Sequence, residues 1–185
     1  MKQGRLIVIS APSGGGKTTV VNAWFKRRKS LKRSISYTTR SPREGEVNGV
    51  DYHFLTKSEF LAKRRKGFFL EWANVFGNFY GTSKEACVET IKKGKDVVLT
   101  IDVQGMRKIV RKFRSEIPIK TIFIVPPSIE VLKERLLRRS TDSKQEIEKR
   151  LRVAKKELEA RGEYDHLVMN VNVAQTVRDI DRILY

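Results

Sequence analysis

The chain contains a single cysteine, Cys87, and only two histidines in 185 residues. One cysteine excludes an intrachain disulfide and any zinc site built on paired thiolates, and two imidazoles are too few for a histidine-rich metal centre. No apolar run approaches the roughly 20 residues that cross a bilayer as a helix. The opening residues MKQGRLIVIS enter a strand pattern almost at once. A charged leader with a cleavage site is therefore not expected, and the chain reads as cytoplasmic. Proline is also scarce, and no proline-rich linker, low-complexity tract or internal repeat divides the sequence. This length suits one domain, which would bury roughly 70% of the surface of its unfolded chain.

Acidic residues are the other shortage. Against 39 Lys and Arg there are 21 Asp and Glu, a net charge of +18. Such a field draws polyanions. No nucleic-acid-binding motif accompanies it, so the expected partners are small phosphorylated molecules, with neither nucleic acid nor membrane among them.

What the sequence does contain is an alternation of buried-strand and helix patterns. Leu6-Ile7-Val8-Ile9 is apolar without polar alternation, the mark of a strand covered on both faces. Val97-Val98-Leu99-Thr100-Ile101 and Thr121-Ile122-Phe123-Ile124-Val125 repeat it, followed by helical patterns at about 104–115 and 128–139. Leu167-Val168-Met169 precedes a closing helix near 174–184. Strands alternating with helices imply an α/β fold with a parallel sheet. Two segments break the rhythm. Residues 36–82 read as a small, mostly β insertion with a helix at about 57–66, and the polar stretch 138–149 leads into a long helix reaching about 161. Ser143 and Glu146 have capping-box spacing at its start.

Between the first strand and its helix stands Ala11-Pro12-Ser13-Gly14-Gly15-Gly16-Lys17-Thr18. It follows the phosphate-loop pattern with Ala11 in place of the first glycine. Glycines allow backbone N–H groups to converge on a phosphate, the helix N-terminus adds partial positive charge, and Lys17 adds a full one. The Thr18 hydroxyl is of the type that ligates Mg²⁺. These residues, with Thr19, form the expected ATP site, and Mg²⁺ is the expected cofactor.

The second segment names the other substrate. The run Ser36-Tyr37-Thr38-Thr39-Arg40-Ser41-Pro42-Arg43-Glu44-Gly45-Glu46-Val47-Asn48-Gly49-Val50-Asp51-Tyr52 resembles the signature of guanylate kinases. Phe69-Leu70-Glu71-Trp72-Ala73, Gly77-Asn78-Phe79-Tyr80-Gly81-Thr82, Ile101-Asp102-Val103-Gln104-Gly105 and Lys149-Arg150-Leu151 continue the likeness in order. It covers essentially the whole chain.

The resemblance implies a P-loop nucleoside monophosphate kinase of bacterial type, transferring the γ-phosphoryl of ATP to GMP and dGMP in purine metabolism. It implies a single domain with a core of about 1–35, 94–134 and 162–185, a GMP-binding insertion of about 36–93 and a helical lid of about 135–161. It assigns Ser36, Arg40, Arg43, Tyr52, Glu71, Tyr80 and Thr82 to GMP, and places Asp102 near the base. The residue types suit that work. Two guanidinium groups can grip one phosphate, and two phenols can donate to it. An ionised Glu71 would accept from guanine N1–H and N2–H while Ser36 or Thr82 donates to O6. Adenine offers the reverse pattern and would leave Glu71 facing an acceptor.

Arg135, Arg139 and Arg150 match the lid arginines that contact the ATP phosphates, and Lys17 and Arg40 complete the expected catalytic cations. Asn170 is the expected neighbour of adenine. Three motifs depart from the family pattern: Thr100 stands where an aspartate usually opens Asp-x-Asp, Arg138-Arg139-Ser140 replaces Gly-Arg-Gly, and Asn170-Val171-Asn172 replaces Asn-Asp-Asp. A scaffold domain that had lost catalysis would be expected to lose the phosphate loop, which this chain keeps.

Overall fold

The structure, a computed structural model, describes residues 3–75, 77–137 and 144–185, with Lys144 described in its backbone alone. In chain order the first elements are β1 (Leu6–Ser10), α1 (Lys17–Arg27), β2 (Lys32–Arg33), β3 (Tyr37–Thr38), β4 (His53–Phe54), α2 (Lys57–Arg65), β5 (Phe69–Val75), β6 (Asn78–Ser83) and α3 (Lys84–Lys92). Then follow β7 (Val97–Thr100), α4 (Val103–Phe113), β8 (Ile119–Val125), α5 (Ile129–Leu137), α6 (Lys144–Glu159), β9 (His166–Met169) and α7 (Val173–Leu184). A 3-10 turn at Ala160–Glu163 extends α6. The expected α/β class holds: parallel strands flanked by helices, and a separate mixed sheet.

The described residues form two compact units. One consists of Ile7–Lys29, Thr100–Val103 and Lys120–Tyr185, the other of residues up to Leu6, Ser30–Leu99 and Gln104–Ile119.

In the first unit β1, β8 and β9 lie side by side in that order. β8 and β9 are parallel, in register from Ile122 opposite His166 to Val125 opposite Met169. β1 is buried along its whole length, as an unalternating apolar run requires. Val20, Val21 and Trp24 form the buried face of α1, which packs on α7 and its buried Val177, Ile180 and Leu184. The Trp24 indole N–H donates to Asp181 Oδ1 at 2.8 Å, and Arg27 and Arg28 donate to the same carboxylate. Thr121 and Asp165 are bonded reciprocally, Thr121 N–H to Asp165 Oδ2 and Asp165 N–H to Thr121 Oγ1, both at 2.8 Å. This bond pair pins the entry of β9 to the start of β8.

The second unit contains the mixed sheet, ordered β4-β3-β6-β5, with β3 and β4 parallel and the other pairs antiparallel. Its core is aromatic. The Phe60 ring stacks on Phe69 with centroids 4.4 Å apart and on Phe79 at 5.3 Å. Gly81 is required beneath them, because a Cβ there would lie 2.8 Å from the Phe69 ring and 3.0 Å from Phe60. A capping box starts α2: Thr56 Oγ1 accepts from Glu59 N–H, and the Glu59 carboxylate accepts from Thr56 N–H at 2.7 Å. The sequence reading placed its capping box at Ser143, which lies outside the described residues.

Most expected elements are present, with ends displaced by a residue or two. Two were not anticipated. The edge strand β2 is only Lys32-Arg33, both exposed, and is paired in parallel with Val97-Val98 of β7. Its charges carry no strand pattern, though they suit an edge. The helix α3 begins at the Ser83 N-cap, directly after β6.

Candidate active site

The phosphate loop runs from the end of β1 to the first turn of α1. The Gly15 N–H donates to Pro12 O at 2.8 Å, closing a tight turn. Gly14 and Gly16 both have left-handed backbone, φ +83° and +87°. A Cβ on Gly16 would sit 2.5 Å from Asn170 Nδ2, and one on Gly15 would meet Pro12 O at 2.9 Å and Ala11 Cβ at 3.1 Å. The buried methyl of Ala11 takes the space that Gly15 leaves free.

Lys17 opens α1 with its amine turned inward, donating to Ile101 O at 3.1 Å. Burial lowers its pKa, and the charges of Glu157 and Asp102 oppose that shift. No acidic residue lies in the first turn of α1, so the positive end of the helix is left uncompensated on its own element. Thr18 and Thr19 are exposed on that turn.

Asn170 and Arg135 hold the loop from behind. The buried Asn170 amide donates to Gly15 O at 2.9 Å, and its Oδ1 lies 3.1 Å from Thr176 Oγ1. The Arg135 guanidinium, from α5, reaches Gly15 O at 3.5 Å and Asn170 O at 3.3 Å. Arg150 is half-buried on α6. Arg139 lies outside the described residues.

Sequence reasoning missed Glu157, also on α6. Its Oε2 accepts the Ser13 N–H at 3.0 Å, so a carboxylate sits against the loop. Burial raises its pKa, while the Ser13 N–H and Lys17 pull it back down. A lone glutamate in a charged helix carries no signal of that contact.

The second group of expected residues lies on the mixed sheet and its loops. Glu71 on β5 and Thr82 on β6 are register partners, and Thr82 Oγ1 donates to Glu71 Oε1 at 2.9 Å. Both are buried, Glu71 to 6% exposure and Thr82 completely. Ser36 is half-buried just before β3, its carbonyl accepting from His53 N–H.

Arg40 donates to both oxygens of Glu46 at 2.8 Å and to Ser41 O at 2.6 Å. Its guanidinium lies 5.4 Å over the Tyr52 ring, and the Tyr80 hydroxyl is a further hydrogen-bond partner. The Tyr52 and Tyr80 rings are 6.1 Å apart, edge to face. Burial first, then Tyr80, raises the Tyr52 pKa, which keeps the phenol a donor. Arg43 is exposed, with its N–H bonded to Glu46 Oε2 at 2.7 Å. Three of the expected phosphate ligands, Arg40, Tyr52 and Tyr80, are thus brought together.

The family model for guanylate kinase matches residues 3–185. The chain belongs to the guanylate kinase family. Among curated guanylate kinases it is 48% identical to that of Hahella chejuensis over 183 residues, 99% of this chain and 86% of the relative. It is 41% identical to that of Clostridioides difficile over 184 residues, 100% of this chain and 88% of the relative. The crystal structure of guanylate kinase from Anaplasma phagocytophilum superposes with a TM-score of 0.82 at 34% identity, covering 99% of this chain and 85% of that one. Membership is consistent with the parallel strands that carry the phosphate loop and with the separate mixed sheet that carries Glu71 and Arg40.

Proposed function

We infer that this member of the guanylate kinase family transfers the γ-phosphoryl group of ATP to GMP, giving ADP and GDP. The observation that carries the acceptor is the buried Glu71–Thr82 pair. Glu71 is a buried carboxylate, an acceptor by charge, and the N1–H and N2–H edge of guanine presents two donors of the kind it takes. Ser36 would donate to O6, or Thr82 would do so by releasing the bond it gives Glu71 here. The reading extends to dGMP, because none of these groups addresses the ribose.

On the donor side, Ala11–Thr19 would take the ATP phosphates through loop N–H groups and Lys17, with Arg135, Arg139 and Arg150 neutralising charge. Asn170, with its amide given to Gly15, serves the ATP site through the loop rather than through adenine. On the acceptor side, Arg40 exchanges Glu46 for the GMP phosphate, joined by Arg43, Tyr52 and Tyr80. Asp102 acts on Lys17 and is the residue the family likeness places near the base. An oxygen of the GMP phosphate attacks the γ-phosphorus in line, the bond to the β,γ-bridging oxygen breaks, and ADP leaves. No general base is needed, because the attacking oxygen is already ionised. Charge neutralisation and positioning supply the acceleration.

Mg²⁺ fits the donor set. Among the described residues no group of three His, Cys, Asp or Glu could hold a metal by itself. Mg²⁺ characteristically binds to nucleotide phosphates with few protein ligands. The exposed Thr18 hydroxyl would be the protein's own, and the ion would neutralise charge on the ATP phosphates. The division into core, GMP-binding insertion of about 36–93 and lid of about 135–161 belongs to the same proposal, as does a cytoplasmic location. No described helix is long and apolar enough to cross a membrane.

A coupled assay of ADP release with ATP and Mg²⁺, run on GMP, dGMP, AMP, CMP and UMP, tests the reading. Turnover confined to the guanine nucleotides is expected. Equal turnover of AMP would remove Glu71 and Thr82 from the role of base readers.

A further inference from the structure

Glu157 sits near the end of α6 with its carboxylate against the phosphate loop, 3.0 Å from the Ser13 nitrogen and acting on Lys17. A loop N–H and a lysine are what a polyphosphate seeks, and a carboxylate presents them with the same chemistry of localised anionic oxygens. We propose that Glu157 is a resident counter-anion of the ATP site, which weakens nucleotide binding and thereby speeds the release of ADP. The proposal rests on the assignment of Ala11–Thr18 to ATP.

The physical argument has two parts. An anion held beside the phosphates repels them in a half-buried setting where water screens poorly. It also competes for Ser13 N–H and for the charge of Lys17. Both Glu157 and, to a smaller extent, Asp102 oppose the effect of burial on Lys17, so Asp102 still acts on the amine when the Glu157 charge is removed. The groups that face Glu157 are the Ser13 N–H, Lys17, Asp102 and the Tyr164 ring, whose hydroxyl is itself pushed up by burial and by these carboxylates. Arg150 lies on the same helix two turns earlier.

Glu157→Gln keeps an oxygen that can accept from Ser13 and removes only the charge. Calorimetric titration without divalent metal, using ADP and the base-free probe tripolyphosphate, should show both binding roughly tenfold tighter to the variant. Stopped-flow release of ADP should slow by a similar factor, and GMP affinity should not move. Glu157→Asp, which withdraws the carboxylate by one methylene, should tighten ADP by a smaller factor. Equal or weaker ADP binding to Glu157→Gln overturns the proposal. If that variant does not fold, equal or weaker binding to Glu157→Asp does so. A wild-type chain that binds neither probe overturns the ATP-site assignment itself.

Discussion

The side-chain amide of Asn170 donates to the carbonyl of Gly15 at 2.9 Å, joining two residues 155 positions apart. The bond orients the loop glycines from the turn after β9, and the same nitrogen occupies the space a Cβ on Gly16 would need. One buried amide therefore both anchors the loop at Gly15 and leaves no room for a side chain at position 16.

Asn170→Ala should cost about 1–3 kcal/mol, since the buried carbonyl loses its best donor. Thermal unfolding would show the loss. ADP affinity should fall several-fold while GMP affinity is unchanged. A variant with wild-type ADP binding would make Asn170 a packing residue only.

Glu71→Gln replaces a charged acceptor with an amide that also presents donors to guanine. Hydrogen bonds to charged groups contribute about 1.5–3 kcal/mol, so kcat/KM for GMP should drop by about 10- to 100-fold. Selectivity over AMP should narrow with it. Steady-state kinetics on both nucleotides checks this, and an unchanged GMP to AMP ratio would count against base reading by Glu71.

Thr100 ends β7 and is exposed, at the position where the family usually has the first carboxylate of Asp-x-Asp. Thr100→Asp should fold and retain activity, with half-maximal rate reached at lower Mg²⁺. A Mg²⁺ titration of the ATP–GMP reaction measures it. Loss of activity would show that the threonine has a function of its own.

Asp181 accepts from Trp24, Arg27 and Arg28. Partial burial raises its pKa, but the bonds from Arg28, Trp24 and Arg27 outweigh it and the net shift is downward. A carboxylate depressed in the folded state stabilises above its unfolded pKa, near 4, and that contribution is lost as pH falls through the folded value. Asp181→Ala should therefore lower the melting temperature at pH 7, at a cost of about 1–3 kcal/mol for the buried indole N–H left unpaired. The gap between variant and wild type should narrow as pH falls from about 4 through the folded pKa of Asp181, leaving the share that belongs to the indole bond. A gap that stays constant as pH falls well below about 4 would assign the effect to packing alone.

The sequence signals that survived are those with a local physical cause. Buried runs such as Leu6–Ile9 are strands because they can be covered on both faces, and Gly14, Gly15 and Gly16 mark a phosphate loop because no other residue permits its backbone. The strand β2 was illegible, since Lys32 and Arg33 pair through their backbone at an edge, where side-chain pattern carries no information. The cap at Thr56–Glu59 carries a local signal too, a Thr-x-x-Glu spacing ahead of a helix.

By itself the sequence determined the α/β class, the phosphate loop and the residue types of two nucleotide sites, because these depend on backbone conformation, burial period and chemical type at short range. Partnership between distant side chains is different. That Glu157 would meet Ser13, that Asn170 would bond Gly15 and that Glu46 would take both oxygens to Arg40 follow from how the chain is folded, not from any local preference. Such contacts emerge only when packing brings separate elements together, and in this chain they set the electrostatics of the sites.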